Sequence, residues 1–182
     1  IITSGNISIS GDGTLDIISS ATEQFCNAIT LDCNKLSIKD VTLNITDTNN
    51  DHYGDVLLYL QNFKSADLNN VTLTKSGGKS LIIETNYDNW YKAPESVMTI
   101  TDCNFSAPSS SEAIDLCSLK SLTIDNTIIS AGNCEYQALY FGNILNLTIK
   151  NSDINVSSND YMATCFYNCT VNIQNSKFVS NQ

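Results

Sequence analysis

The sequence predicts an all-β protein: a single-stranded, right-handed parallel β-helix of about seven coils, with three short strands per coil. Three observations carry this expectation. A short segment recurs, as "LSIKDVTLNITD" at 36–47, "MTITDCNFSAPS" at 98–109, "LTIDNTIISAGN" at 122–133, "LTIKNSDINVSS" at 147–158 and "VNIQNSKFVSNQ" at 171–182. Within each copy apolar and polar residues alternate with period two, the signature of a strand with one face buried. A further apolar piece precedes the next copy, so each repeat holds three short segments rich in Thr, Ile, Val and Tyr.

The first segment of each repeat begins at Leu36, Ala66, Met98, Leu122, Leu147 and Val171, spaced 30, 32, 24, 25 and 24 residues apart. Similarity at a fixed period of this size signals stacked coils. Corresponding strands of successive coils then lie about 4.8 Å apart. Two apolar rows are expected to fill the interior. One is Ile38, Leu68, Ile100, Ile124, Ile149 and Ile173; the other is Leu43, Leu73, Phe105, Ile129 or Ile128, Ile154 and Phe178. A β-sandwich is the competing architecture, but it requires hairpin turns and gives no reason for a triple-strand period.

Between the first two segments, Asp40, Asn70, Asp102, Asn126, Asn151 and Asn175 occupy one position. Asn and Asp tolerate left-handed backbone and bond nearby peptide groups, so this position is a corner, and the stacked side chains are expected to form an asparagine ladder. Gly11 or Gly13 serves the corner in the first coil. The third segments are "AITL" (28–31), "LYL" (58–60), "LII" (81–83), "IDL" (114–116), "LYF" (139–141) and "TCF" (164–166). Their outward positions read Thr30, Tyr59, Ile82, Asp115, Tyr140 and Tyr167.

With 182 residues the chain is read as one domain, 1–182. It starts at Ile1 and shows no signal peptide, so it is read as a mature protein or an excised fragment; the incomplete last coil favours a fragment of a longer surface protein. No apolar run reaches the roughly 18 residues of a membrane span, and no membrane insertion is expected. Net charge is −10 and all nine basic residues are lysines. Without a basic footprint or the bidentate fork of Arg, a nucleic-acid partner is not expected. Seven cysteines, an odd number with no CxxC, cannot all pair within the chain.

"ISISGDGTLDI" (7–17) resembles the opening of secreted or surface β-helix proteins of Firmicutes that carry carbohydrate-binding domains. The repeat as a whole is similar to the pectate-lyase-like β-helix superfamily. That resemblance implies an extracellular or cell-surface location and a polysaccharide or glycan partner. Lyases and hydrolases of that superfamily resemble one another in setting a basic residue beside acidic groups. Here Arg is absent and the one histidine, His52, sits in a polar loop. The module is therefore read as non-catalytic, with a structural or adhesive solenoid as the alternative and a polysaccharide lyase or hydrolase as the lesser one.

Two irregular loops carry the candidate sites. "ETNYDNWYKAPES" (84–96) holds the only tryptophan, Trp90, with Tyr87 and Tyr91 beside it and Asp88 and Asn89 available to sugar hydroxyls. Tyr59 and Tyr140, on outward strand positions, extend this set into a shallow sugar-binding track. "DTNNDHYGD" (47–55) concentrates Asp47, Asn49, Asp51 and Asp55, oxygen donors that suit Ca²⁺, although no cofactor is required. The last coil stops after its second strand and exposes an edge, which invites end-to-end self-association.

Overall fold

The computed structural model describes residues 2–19, 27–48, 56–78, 81–85, 94–110 and 112–182. Its strands are β1 (Ile2–Ser10), β2 (Thr14–Ser19), β3 (Asn27–Asp47), β4 (Val56–Gln61), β5 (Ser65–Ser76), β6 (Leu81–Thr85), β7 (Ser96–Thr101), β8 (Asn104–Ala107), β9 (Ile114–Asp125), β10 (Ile128–Cys134), β11 (Leu139–Lys150), β12 (Asp153–Ser158), β13 (Thr164–Tyr167), β14 (Val171–Gln174) and β15 (Lys177–Asn181). Every pairing given between them is parallel, and together they wind a β-solenoid of about six turns. Among the described residues there is no antiparallel hairpin, so the sandwich is excluded. No helix is long and apolar enough to cross a membrane.

The register follows the sequence repeat. On the first sheet Leu36 pairs with Ala66, Ala66 with Met98, Met98 with Leu122, Leu122 with Leu147 and Leu147 with Val171. On the second sheet Leu43, Leu73, Phe105, Ile129, Ile154 and Phe178 stack in turn. The choice between Ile128 and Ile129 falls to Ile129, which is buried while Ile128 is 52% exposed. Ile38, Leu68, Ile100, Ile124 and Ile149 are at most 1% exposed. Ile173, in the last coil and with no coil stacked beyond it, is 44% exposed. Each fully buried side chain of this kind contributes about 1.5–3 kcal/mol.

The chain turns where the sequence places its corner. Asp40 (φ 55°), Asn70 (53°), Asp102 (56°), Asn126 (47°), Asn151 (53°) and Asn175 (47°) all adopt left-handed backbone. Gly11, with φ 148°, takes the equivalent place in the first coil. Side-chain amides join neighbouring coils at this corner, from Asn70 to Asp40 Oδ1 at 2.8 Å and from Asn126 to Asp102 Oδ1 at 2.6 Å. A second left-handed row, Asn62, Ser118, Asn143 and Asn168, turns the third sheet into the first.

One expected row is corrected. The outward row of the third sheet is Thr30, Tyr59, Glu84, Asp115, Tyr140 and Cys165, with Ile82 and Tyr167 displaced from it. The reason is register: Leu58 pairs with Ile83, not Leu81, so β6 sits two residues further along than the apolar triplets suggest. A slip of two keeps every inward residue inward, so the hydrophobic pattern alone does not detect it.

Candidate functional site

The corrected row brings acidic groups together on adjacent coils. Glu84 of β6 lies in register with Asp115 of β9, and Asp115 with Tyr140 of β11. Asp115 is only 6% exposed although its side chain points away from the apolar interior. The Cys117 thiol, two residues on and on the same side, donates to Asp115 Oδ1 at 2.7 Å. Burial drives the Asp115 carboxyl up to about 7; the thiol bond opposes this, and the Glu112 charge adds to it. Burial likewise raises Glu112. Burial, then the Asp115 charge, raises Cys117 far above the thiol range and raises Cys165. Tyr140 is pushed upward, by burial first and then by Cys117. Burial thus favours the protonated forms of Asp115, Cys117 and Tyr140, and the Glu84 charge adds to the rise of Cys117.

Of the residues expected to bind sugar, Trp90, Tyr87, Tyr91, Asp88 and Asn89 lie outside the described residues. Tyr140 is half-buried, in register beside Asp115. Tyr59 is 9% exposed and clusters with Val56 and Leu81, so most of its ring is already covered. Of the residues expected to hold Ca²⁺, Asn49, Asp51 and Asp55 lie outside the described residues. Asp47 ends β3, is 3% exposed and packs its carboxylate against Gly78. A Cβ at Gly78 would occupy the space of that carboxylate, and one at Gly77 would meet the Asp47 carbonyl; both glycines also have positive φ. The Gly-Gly turn is therefore what lets Asp47 sit inside.

Next to Asp47 is a group the sequence reading missed. Lys75 follows Val71 and Leu73 on the inward side of β5 and is fully buried. Its Nζ donates to the carbonyls of Gly78 at 2.8 Å and Ser109 at 2.7 Å, and to Ser110 Oγ at 3.0 Å. Burial lowers its pKa to about 8, against the pull of Asp47 and Cys134. Three oxygens satisfy its three donors, so the ammonium is a crosslink between β5, the turn after it and the segment at 109–110. Period two alone signals it, because Lys75 shares its face with two core residues.

A concavity lies along the Asn/Asp corner. It is a groove of about 620 Å³. One wall is formed by Asn70, Asp102, Asn126, Asn151 and Asn175, the other by outward residues two positions on, including Asn104, Ile128 and Asp153. Its floor is Cys103, Thr127 and Ser152, all buried. These hand a hydrogen-bond chain from coil to coil: Cys103 N–H to Thr127 Oγ1 at 3.3 Å, Thr127 N–H to Ser152 Oγ at 3.2 Å, and Ser152 N–H to Ser176 Oγ at 3.1 Å. Each hydroxyl also donates to the carbonyl two residues earlier.

The six described cysteines, Cys33, Cys103, Cys117, Cys134, Cys165 and Cys169, are free thiols. The chain matches no protein-family model, no curated protein and no solved structure. What the geometry establishes is a parallel β-solenoid whose coils repeat polar groups in register on two outer surfaces.

Proposed function

We propose that this protein is a non-catalytic, extracellular or cell-surface module that binds a polysaccharide. One observation carries the reading: stacked coils present polar groups in register, so the outer surface repeats at about 4.8 Å. A surface that repeats suits a ligand that repeats, and two coils match the length of an extended disaccharide unit. The Glu84–Asp115–Tyr140 row supplies hydrogen-bonding groups on successive coils, and the Trp90 segment follows β6 in sequence after Thr85. An acidic chain without Arg favours neutral glycans over uronates. Ca²⁺ enters this reading as an optional ligand of the 47–55 segment. The Asn/Asp corner is, in the same reading, a ladder whose amides tie Asn70 to Asp40 and Asn126 to Asp102.

A glycan array with and without EDTA tests the proposal. Binding of a neutral glycan that is lost in Trp90→Ala supports a site at the 84–96 loop; loss with EDTA brings in the metal. Binding to no glycan overturns the function and leaves the structural solenoid, a reading favoured by the packing of Tyr59 against Val56 and Leu81. Release of new reducing ends from a bound polysaccharide overturns the non-catalytic part alone.

A further inference from the structure

We infer that the groove along the Asp102–Asn126–Asn151 corner is a binding site for an extended, uncharged, β-1,4-linked glycan chain lying along the solenoid axis. The inference rests on the carbohydrate-binding reading but assigns the ligand to different residues from the 84–96 loop. Backbone groups on both sides of the groove are consumed by the parallel ladders between coils. A peptide strand would need such groups unpaired in order to add itself to a sheet, so strand addition is unavailable here. What the groove offers instead is side chains, repeated from coil to coil.

Those side chains are preorganised. The corner residues are held at φ 56° (Asp102), 47° (Asn126) and 53° (Asn151), and the floor beneath them is locked by its own hydrogen-bond chain. Little ordering remains to be paid on binding. Asn126 commits one amide hydrogen to Asp102, and Asn151 commits one to Asp125 Oδ1 at 2.8 Å. Each primary amide has a second N–H and a carbonyl oxygen besides. Asn126 and Asn151 offer this donor–acceptor pair on two successive coils, with the Asp102 carboxylate as an acceptor on the coil before, and successive sugars of a flat chain present hydroxyl groups to match.

The facing wall provides the apolar element. Ile128 stands 52% exposed between Asn104 on one coil and Asp153 on the other, a place where the C–H face of a pyranose ring can rest. Asp153 pairs with Lys177 at 3.8 Å, so Asp102 is the groove's remaining acid and an anionic ligand is disfavoured.

Titration calorimetry of the whole chain with cellohexaose, and with maltohexaose as a curved α-linked control, tests this. The wild type is expected to bind cellohexaose at least tenfold more tightly than maltohexaose. Ile128→Glu should weaken cellohexaose binding at least tenfold, and the milder Asn104→Ala about threefold, with melting temperatures unchanged; Trp90→Ala should leave it unaltered. Loss of binding in Trp90→Ala with full binding in Ile128→Glu overturns the groove and retains the glycan function. Equal affinity for the two hexaoses overturns the extended-chain assignment. If the glycan array and both hexaoses show no binding, groove and function fall together.

Discussion

The Asn/Asp corner and the outward row of the third sheet are built from the same coils, yet they handle polar groups in opposite ways. At the corner Asn126 and Asn151 stand in solvent and are bonded to the carboxylates of Asp102 and Asp125; Asp125 is held below the usual carboxylate range by its bonds to Asn151 and Lys150. On the third sheet Asp115 is 6% exposed and its carboxyl is pushed up to about 7. The difference lies in hydration. An amide next to a wet carboxylate is the ordinary solution of a solenoid corner. A carboxyl withdrawn from water beside Glu84 and Glu112 costs folding energy whenever it ionises.

The largest test of this contrast is pH. A carboxyl whose folded pKa is raised stabilises the fold at pH values below its unfolded pKa, near 3.8, and loses that contribution as pH rises through about 7. The wild type should therefore weaken relative to Asp115→Asn by about 3 kcal/mol between pH 5 and pH 9. The Asn oxygen still accepts the Cys117 thiol, so the substitution isolates the charge. Urea denaturation at pH 5, 7 and 9 measures it, and parallel profiles would show that Asp115 titrates as a hydrated carboxyl does.

The corner gives the intermediate test. Asn126 at φ 47° occupies a region that costs other L-residues about 1–2 kcal/mol. Asn126→Ala is expected to lose about that much, and Asn126→Gly to recover most of it despite losing the bond to Asp102. If Ala and Gly are equally destabilising, the hydrogen bond rather than the backbone holds the corner.

This contrast also explains what was legible in the sequence. The corner was readable because its requirement is local: a left-handed turn selects Asn, Asp or Gly wherever it recurs, and six positions did so. The core rows were readable because alternation fixes the face. Glu84 was missed because a two-residue slip leaves alternation intact while changing the neighbour on the next coil. Lys75 was missed for a different reason. Burial of an ammonium is decided by three acceptors brought from 78, 109 and 110, a tertiary arrangement that no window around residue 75 contains. The groove was overlooked because each Asn was read as turn chemistry, and concavity belongs to the stack rather than to any one coil.

The smallest test concerns a lysine on the outer face. Lys39 is 45% exposed and pairs with Asp67 of the next coil at 3.1 Å; Asp67 also accepts from Thr99 Oγ1 at 2.7 Å. An exposed pair gains little in water and loses side-chain freedom, so Lys39→Ala should cost no more than about 0.5 kcal/mol, and less in high salt. Asp67→Ala should cost slightly more, because it also removes the acceptor of Thr99. A double-mutant cycle between 39 and 67 separates the two contributions. A coupling well above 1 kcal/mol would mean that charge pairs between coils, and not only burial and corner geometry, hold neighbouring turns together, and the wet surface of the solenoid would then resemble its buried polar row more than its hydration suggests.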